Sequence, residues 1–145
     1  LKLREHLLEK IPYRHKTSDL FEFYQTGDLK QFLPHGNGRD EVIAQVCQAL
    51  FDPRWVANMG RIIERPLDPN NIDISSQCYR QGNHLLCHDD RLEGRRVAFV
   101  LYLVDQEWSA AEDGGRLEFF ASDYAGRPSL AAKAGITPQF NTLVA

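Results

Sequence analysis

Cysteine is scarce in this sequence. The three residues Cys47, Cys78 and Cys87 cannot all pair within one chain, and their spacing matches neither a CxxC metal knuckle nor a dense disulfide framework. Reduced thiols in a reducing compartment are therefore expected. Long apolar runs are also lacking: none approaches the roughly 18 residues of a membrane-spanning helix, and the N-terminus has no basic-then-apolar signal layout. A soluble protein of the cytoplasm or nucleus, without a membrane partner, is the expectation. Charge of one sign is not in excess either. A formal net charge of −3 gives no broad basic surface for neutralising phosphates, so nucleic acid is expected only as an indirect partner. Internal repeats and low-complexity tracts are absent.

What is present suits one domain: 145 residues, 43% hydrophobic and 26% charged, enough to bury a core. Leu3, Leu7, Leu8 and Ile11 recur near the helix period before Pro12 ends the segment. The stretch with Leu20, Phe21, Phe23, Tyr24, Leu29 and Phe32, followed by Pro34-His35-Gly36-Asn37-Gly38, reads as a loop. From Asp40 the pattern predicts a helix to Phe51, with Val42, Ile43, Val46, Cys47 and Leu50 on one face and acidic residues at its positive end. Asp52-Pro53 predicts a further short helix through Trp55, Val56 and Met59. Later the signal changes to β-prone runs at 73–80, 85–90, 96–104, 117–120 and 141–144, with a long loop at 121–140. These predict an α+β fold of one domain, residues 1–71 as a mainly helical cover and 72–145 as the first strands of a double-stranded β-helix, or jelly roll.

Chemistry becomes legible at His88-Asp89-Asp90. On an extended strand successive side chains alternate faces, so His88 and Asp90 project from the same face, about 6.6 Å apart along the chain. An imidazole and a carboxylate so placed can serve the two-His, one-carboxylate facial triad of non-haem iron(II), which leaves positions open for other ligands. A bare His-x-Asp is a weak motif, and its bland reading is a solvated strand end or a hydrogen-bonded pair. A zinc site from Cys87, His88 and Asp89 is opposed by the same alternation. Cys87 then reads as a small buried hydrophobe. His84 lies about 13 Å from His88 along an extended chain, too far to join it. His6, His15 and His35 read as surface residues, Trp55 and Trp108 as packing, and Arg91, Arg95 and Arg96 as a solvated basic face.

The run from Leu85 through His88, Asp90, Gly94, Arg95, Arg96 and Phe99 to Val104 carries a more specific likeness. Together with Trp108, Asp113-Gly114-Gly115 and Leu117, with Ser18-Asp19-Leu20 and Gln25 to Leu29, and with Pro138 and Asn141 to Val144, it resembles the ribosomal-protein prolyl hydroxylase family. These are oxygenases related to the yeast termination-and-polyadenylation protein and the animal 2-oxoglutarate and iron-dependent oxygenase domain proteins. The likeness covers essentially the whole chain. It implies His88 and Asp90 as iron(II) ligands, Tyr79 and Tyr102 as holders of 2-oxoglutarate, dioxygen as co-substrate and ascorbate as an auxiliary. It also implies hydroxylation of a prolyl residue in a small-subunit ribosomal protein, with a role in translation. A cupin-like jelly roll with another metal or a sugar would leave Tyr79, Tyr102 and Asp113-Gly114-Gly115 without a shared role.

Tyr102 lies inside the apolar run 97–104, where a buried phenol needs a polar partner; a core tyrosine bonded to backbone is the plain alternative. The family's second histidine ligand and its basic partner for 2-oxoglutarate lie on strands after the Asn-x-Leu-Val run. No histidine follows His88 in this sequence. The expectation is accordingly a truncated domain whose C-terminal strands are missing, or else an inactive oxygenase fold that only binds partners.

Overall fold

Three helices form where apolar spacing and capping chemistry agree. A computed structural model describes residues 2–33, 36, 38–90 and 94–145. The expectations for Pro34, His35, Asn37, Arg91, Leu92 and Glu93 lie outside the described residues. Helix α1 (Lys2–Lys10) buries Leu7, and Ile11 continues the same face by bonding its amide to the Leu7 carbonyl at 3.2 Å. Pro12 then blocks another turn. Helix α2 (Glu41–Leu50) begins at Asp40, whose carboxylate accepts the Ile43 amide at 3.0 Å. Helix α3 (Pro53–Ile62) begins at Asp52, which accepts the Arg54 amide at 2.8 Å and places Pro53 where a missing N–H costs nothing.

The core lies between α1, α2 and a short 3-10 helix at Leu29–Phe32. Leu7, Ile11, Leu29, Ile43 and Cys47 interlock there, and Ile74 and Leu103 pack against them from the later half of the chain. Ile43 and Cys47, one helical turn apart, are 1% and 0% exposed. Burying an aliphatic side chain of this size contributes about 1.5–3 kcal/mol. The Cys47 thiol donates to the Leu29 carbonyl at 3.6 Å, and burial pushes it up to about 11. It is a packing residue rather than a nucleophile.

The stretch read as a loop is in fact a hairpin. Strands β1 (Arg14–Thr17) and β2 (Phe21–Gln25) pair antiparallel from Arg14↔Gln25 to Thr17↔Glu22. Phe21 and Phe23 share one strand face, and Phe23 is buried. The period-two signal spans only five residues, and a lone hairpin is marginal in water. This one is completed by strands more than fifty residues later. On the other edge of β2, Tyr24 pairs with Cys78 of β3 (Gln77–Cys78), and Phe21 with Leu85 of β4 (His84–Leu85). Thus residues 1–71 supply the centre of a sheet as well as three helices.

The remaining strands form two small pairs. Strand β5 (Val100–Tyr102) pairs with β8 (Thr142–Val144), and β6 (Leu117–Ser122) with β7 (Pro128–Ile136). β7 falls where a long loop was expected. Its Ala-rich sequence has little strand preference, and the pairing is set instead by the turn before it. There the Asp123 carboxylate accepts the amides of Ala125 and Arg127 at 2.8 and 3.0 Å, and Gly126 takes φ 79°. Among the described residues the pairings give sheets of four, two and two strands; the sequence predicted only the first strands of a double-stranded β-helix, and these pairings do not form a closed one.

His6, read as a surface residue, is another correction. Its Nε2 lies 2.6 Å from Asp40 Oδ2, and both side chains are largely covered. One carboxylate therefore caps α2 and ties α1 to it. Burial opposes ionisation of Asp40, yet the Ile43 amide and His6 more than offset it and hold the carboxyl below its ordinary 3.8. A depressed carboxyl stabilises the fold fully above the unfolded value and loses that contribution as pH falls through the folded one. Asp40→Ala should cost about 1 kcal/mol in urea unfolding and flatten the loss of stability below about pH 4. Asp40→Asn, which keeps the cap, should recover most of the neutral-pH stability.

Candidate metal centre

β4 launches the site. Its two-residue ladder with β2 is extended by the Leu86 amide, which donates to the Leu20 carbonyl at 2.8 Å. Beyond Leu86 the chain leaves the sheet. Cys87 is exposed rather than buried, so its expected packing role is not realised. His88 turns back, and its Nδ1 lies 2.8 Å from the Leu86 carbonyl oxygen. A carbonyl oxygen only accepts, so Nδ1 carries a proton, and in the neutral ring Nε2 is the nitrogen with the lone pair.

That Nε2 faces Asp90 Oδ1 at 3.3 Å. The convergence does not come from strand alternation, as the sequence suggested. The ladder stops at Leu85, and Asp90 adopts φ 49°, a left-handed conformation that aspartate tolerates better than most residues. The resulting bend brings the carboxylate back to the imidazole. Two lone-pair donors face each other, and a shared cation or proton removes their repulsion. Neighbouring ligands about 2.1 Å from an octahedral ion lie about 3 Å apart. His88 and Asp90 therefore fit two adjacent positions around iron(II), and both stay open enough to solvent for an ion to enter.

Arg95, read as part of a solvated basic face, also belongs to this site: its Nη1 lies 3.7 Å from the same Asp90 Oδ1. The Leu86 carbonyl had no signature in the sequence, because the backbone oxygen that orients an imidazole depends on a local turn. Among the described residues no group of three His, Cys, Asp or Glu side chains gathers to hold a metal. His84 stays on β4 opposite Glu22.

Tyr79 and Tyr102 are not brought together by strand pairing. Tyr79 follows β3, stacks on Phe23 with ring centroids 5.3 Å apart and donates its hydroxyl to Gln77 Oε1 at 3.0 Å. Burial pushes its phenol up to about 12. Tyr102 ends β5 opposite Thr142, and burial raises its phenol as well. A cavity of about 510 Å³ lies elsewhere, between the end of α1 and the sheet, lined in part by Lys10, Ile11, Tyr13, Tyr24 and Arg80. Trp55 packs edge-on to Phe99 at 5.7 Å, and Trp108 donates to the Gly114 carbonyl at 3.1 Å, the packing roles expected of both.

The left-handed backbone at Asp90 has a measurable consequence. Asp90→Asn should leave urea stability nearly unchanged, because asparagine also tolerates this conformation. Asp90→Val should destabilise by about 1–2 kcal/mol, because a β-branched residue does not. Equal stability of the two variants would mean that the bend at residue 90 is not held in solution.

Comparison with known proteins supplies the context for this pair of donors. A model described as the 2OG-Fe(II) oxygenase superfamily matches residues 74–145. Prolyl 3-hydroxylase OGFOD1 of Xenopus laevis is 38% identical over 98% of this chain and 25% of its own length. Prolyl 3,4-dihydroxylase OGFOD1 of Ostreococcus tauri is 32% identical over 98% of the chain and 29% of its length. Prolyl 3-hydroxylase sudestada1 of Drosophila melanogaster is 33% identical over 93% of the chain and 24% of its length. The chain thus spans about a quarter of the length of the curated relatives it matches. With His88 and Asp90 inside the matched segment and similarity to prolyl hydroxylases running along nearly all of its length, the chain belongs to the 2OG-Fe(II) oxygenase superfamily.

Proposed function

We propose that the protein hydroxylates a prolyl residue of a protein substrate, using iron(II), 2-oxoglutarate and dioxygen, with His88 and Asp90 as two of the iron ligands. The observation that carries this reading is the pair itself: an imidazole Nε2 freed for a metal by the Leu86 carbonyl, 3.3 Å from a carboxylate oxygen. The names of the relatives support the prolyl substrate. Bound iron(II) would supply dioxygen activation coupled to the oxidative decarboxylation of 2-oxoglutarate.

The chain's own residues have defined tasks in this scheme. The Leu86 carbonyl fixes the tautomer and direction of the His88 ring, the kind of support that metal-bound histidines receive. The bend at Asp90 sets the carboxylate beside it. Tyr79 and Tyr102 are the proposed holders of 2-oxoglutarate. With its phenol pushed up to about 12, Tyr79 keeps its proton at neutral pH, and it could donate to a carboxylate by exchanging its present acceptor, Gln77 Oε1.

The finer reading follows the family likeness: the substrate is a small-subunit ribosomal protein, the role lies in translation, ascorbate sustains the iron, and the protein acts in the cytoplasm or nucleus. A second reading, an oxygenase fold that only binds partners, draws on one observation, the absence of a third gathered ligand among the described residues.

The two readings separate in one experiment. The protein is given iron(II), 2-oxoglutarate, dioxygen and a proline-containing peptide from the small ribosomal subunit's decoding region. Succinate should be released, and the peptide should gain the mass of one oxygen atom. Asp90→Asn should lower both by more than about 100-fold, since it removes a ligand and not merely its support. Equal succinate release by the wild type and Asp90→Asn would overturn the assignment. An inert wild type with every proline-containing peptide would favour the binding module.

A further inference from the structure

We infer that Arg95 is a placeholder cation that holds the Asp90 carboxylate before the metal arrives and competes with a divalent ion for the same oxygen. This rests on the reading of His88 and Asp90 as iron ligands. The geometry is specific to one atom. Asp90 Oδ1 has His88 Nε2 at 3.3 Å and Arg95 Nη1 at 3.7 Å. When the ring is neutral, its Nε2 lone pair repels the ionised carboxylate, and a nearby positive charge offsets that repulsion. A guanidinium always carries its charge, so it can keep the carboxylate near the imidazole across the working pH range.

The same charge opposes the metal. A divalent ion bonded to Oδ1 would lie within a few ångströms of the guanidinium, and like charges at that range repel even in water. Both side chains of the pair are partly open to solvent, so the repulsion is moderate and salt-dependent. Asp73 is held low mainly by its hydrogen bond from Lys30, 2.9 Å away, and additionally by the charge of Arg95. The guanidinium is therefore within electrostatic range of a second carboxylate, which is already paired with Lys30. Arg95 is thus a positioning residue whose charge sets how readily the site loads.

The test is manganese(II) binding to this chain, followed by loss of the free-ion paramagnetic resonance signal, with no activity readout. Arg95→Gln, which keeps length and polarity but not charge, should bind manganese(II) about five-fold more tightly at about 0.15 M salt. Arg95→Lys should stay within about two-fold of the wild type, because charge and not shape is the determinant. Raising salt to about 1 M shortens the screening length from about 8 to about 3 Å and should shrink the gap between Gln and wild type.

Unchanged or weaker binding by Arg95→Gln, or equal tightening by Arg95→Lys and Arg95→Gln, would overturn the inference. Asp90→Asn separates the two levels of the argument. If it abolishes manganese(II) binding while Arg95→Gln is neutral, only the placeholder role falls. If it leaves binding intact, the ligand assignment falls and the placeholder role with it.

Discussion

The backbone pairing along one edge of Phe21–Gln25 is the constraint on which the rest depends. That edge accepts two short strands in succession, with Tyr24 opposite Cys78 and Phe21 opposite Leu85. Each ladder is only two residues long and would be negligible alone. Sharing one strand, they close the turn at 79–83, where the Arg80 amide donates to Asn83 Oδ1 at 2.9 Å, and they fix the point at which the chain leaves the sheet. Three residues past that ladder stands His88. A slip of one residue in register would reverse the facing of Leu85 and re-aim the segment that carries the donors.

The helical side meets the later strands at a small number of places. Ile74 precedes β3 and Leu103 follows β5, and both pack on the cluster around Ile43 and Cys47. Two charged ties reinforce it: His6 to Asp40 between α1 and α2, and Arg4 to Asp105 between α1 and the segment after β5. The exposed Arg4 pair contributes little by itself. The Asp40 carboxylate matters more, because it also satisfies an orphan amide at the start of α2. On the other side, the β6–β7 hairpin leaves Phe119 and Leu130 exposed and contributes nothing to the core cluster.

Around His88 and Asp90, hydrogen bonding and charge divide the work. A neutral backbone oxygen orients the imidazole through Nδ1. A cation stands at the carboxylate, where it balances the charge of Asp90.

Capping and periodicity spoke clearly in the sequence. Asp40, the Ile43 and Cys47 spacing and Asp52-Pro53 placed α2 and α3 correctly, because those signals act within a few residues of where they are written. The residue types at 88 and 90 were too short a motif to name a chemistry alone, and the iron reading came from the likeness running along the whole chain. What tertiary structure decided was everything whose partner is distant in the chain. The β1–β2 hairpin looked like a loop because its stabilising strands arrive more than fifty residues later, and β7 looked like a loop because its turn, not its composition, sets the pairing. His88 and Asp90 were expected to meet through strand alternation, but a left-handed residue at 90 and the Leu86 carbonyl bring them together. Local sequence can name a donor, but backbone dihedrals and long-range pairing determine where its lone pair points.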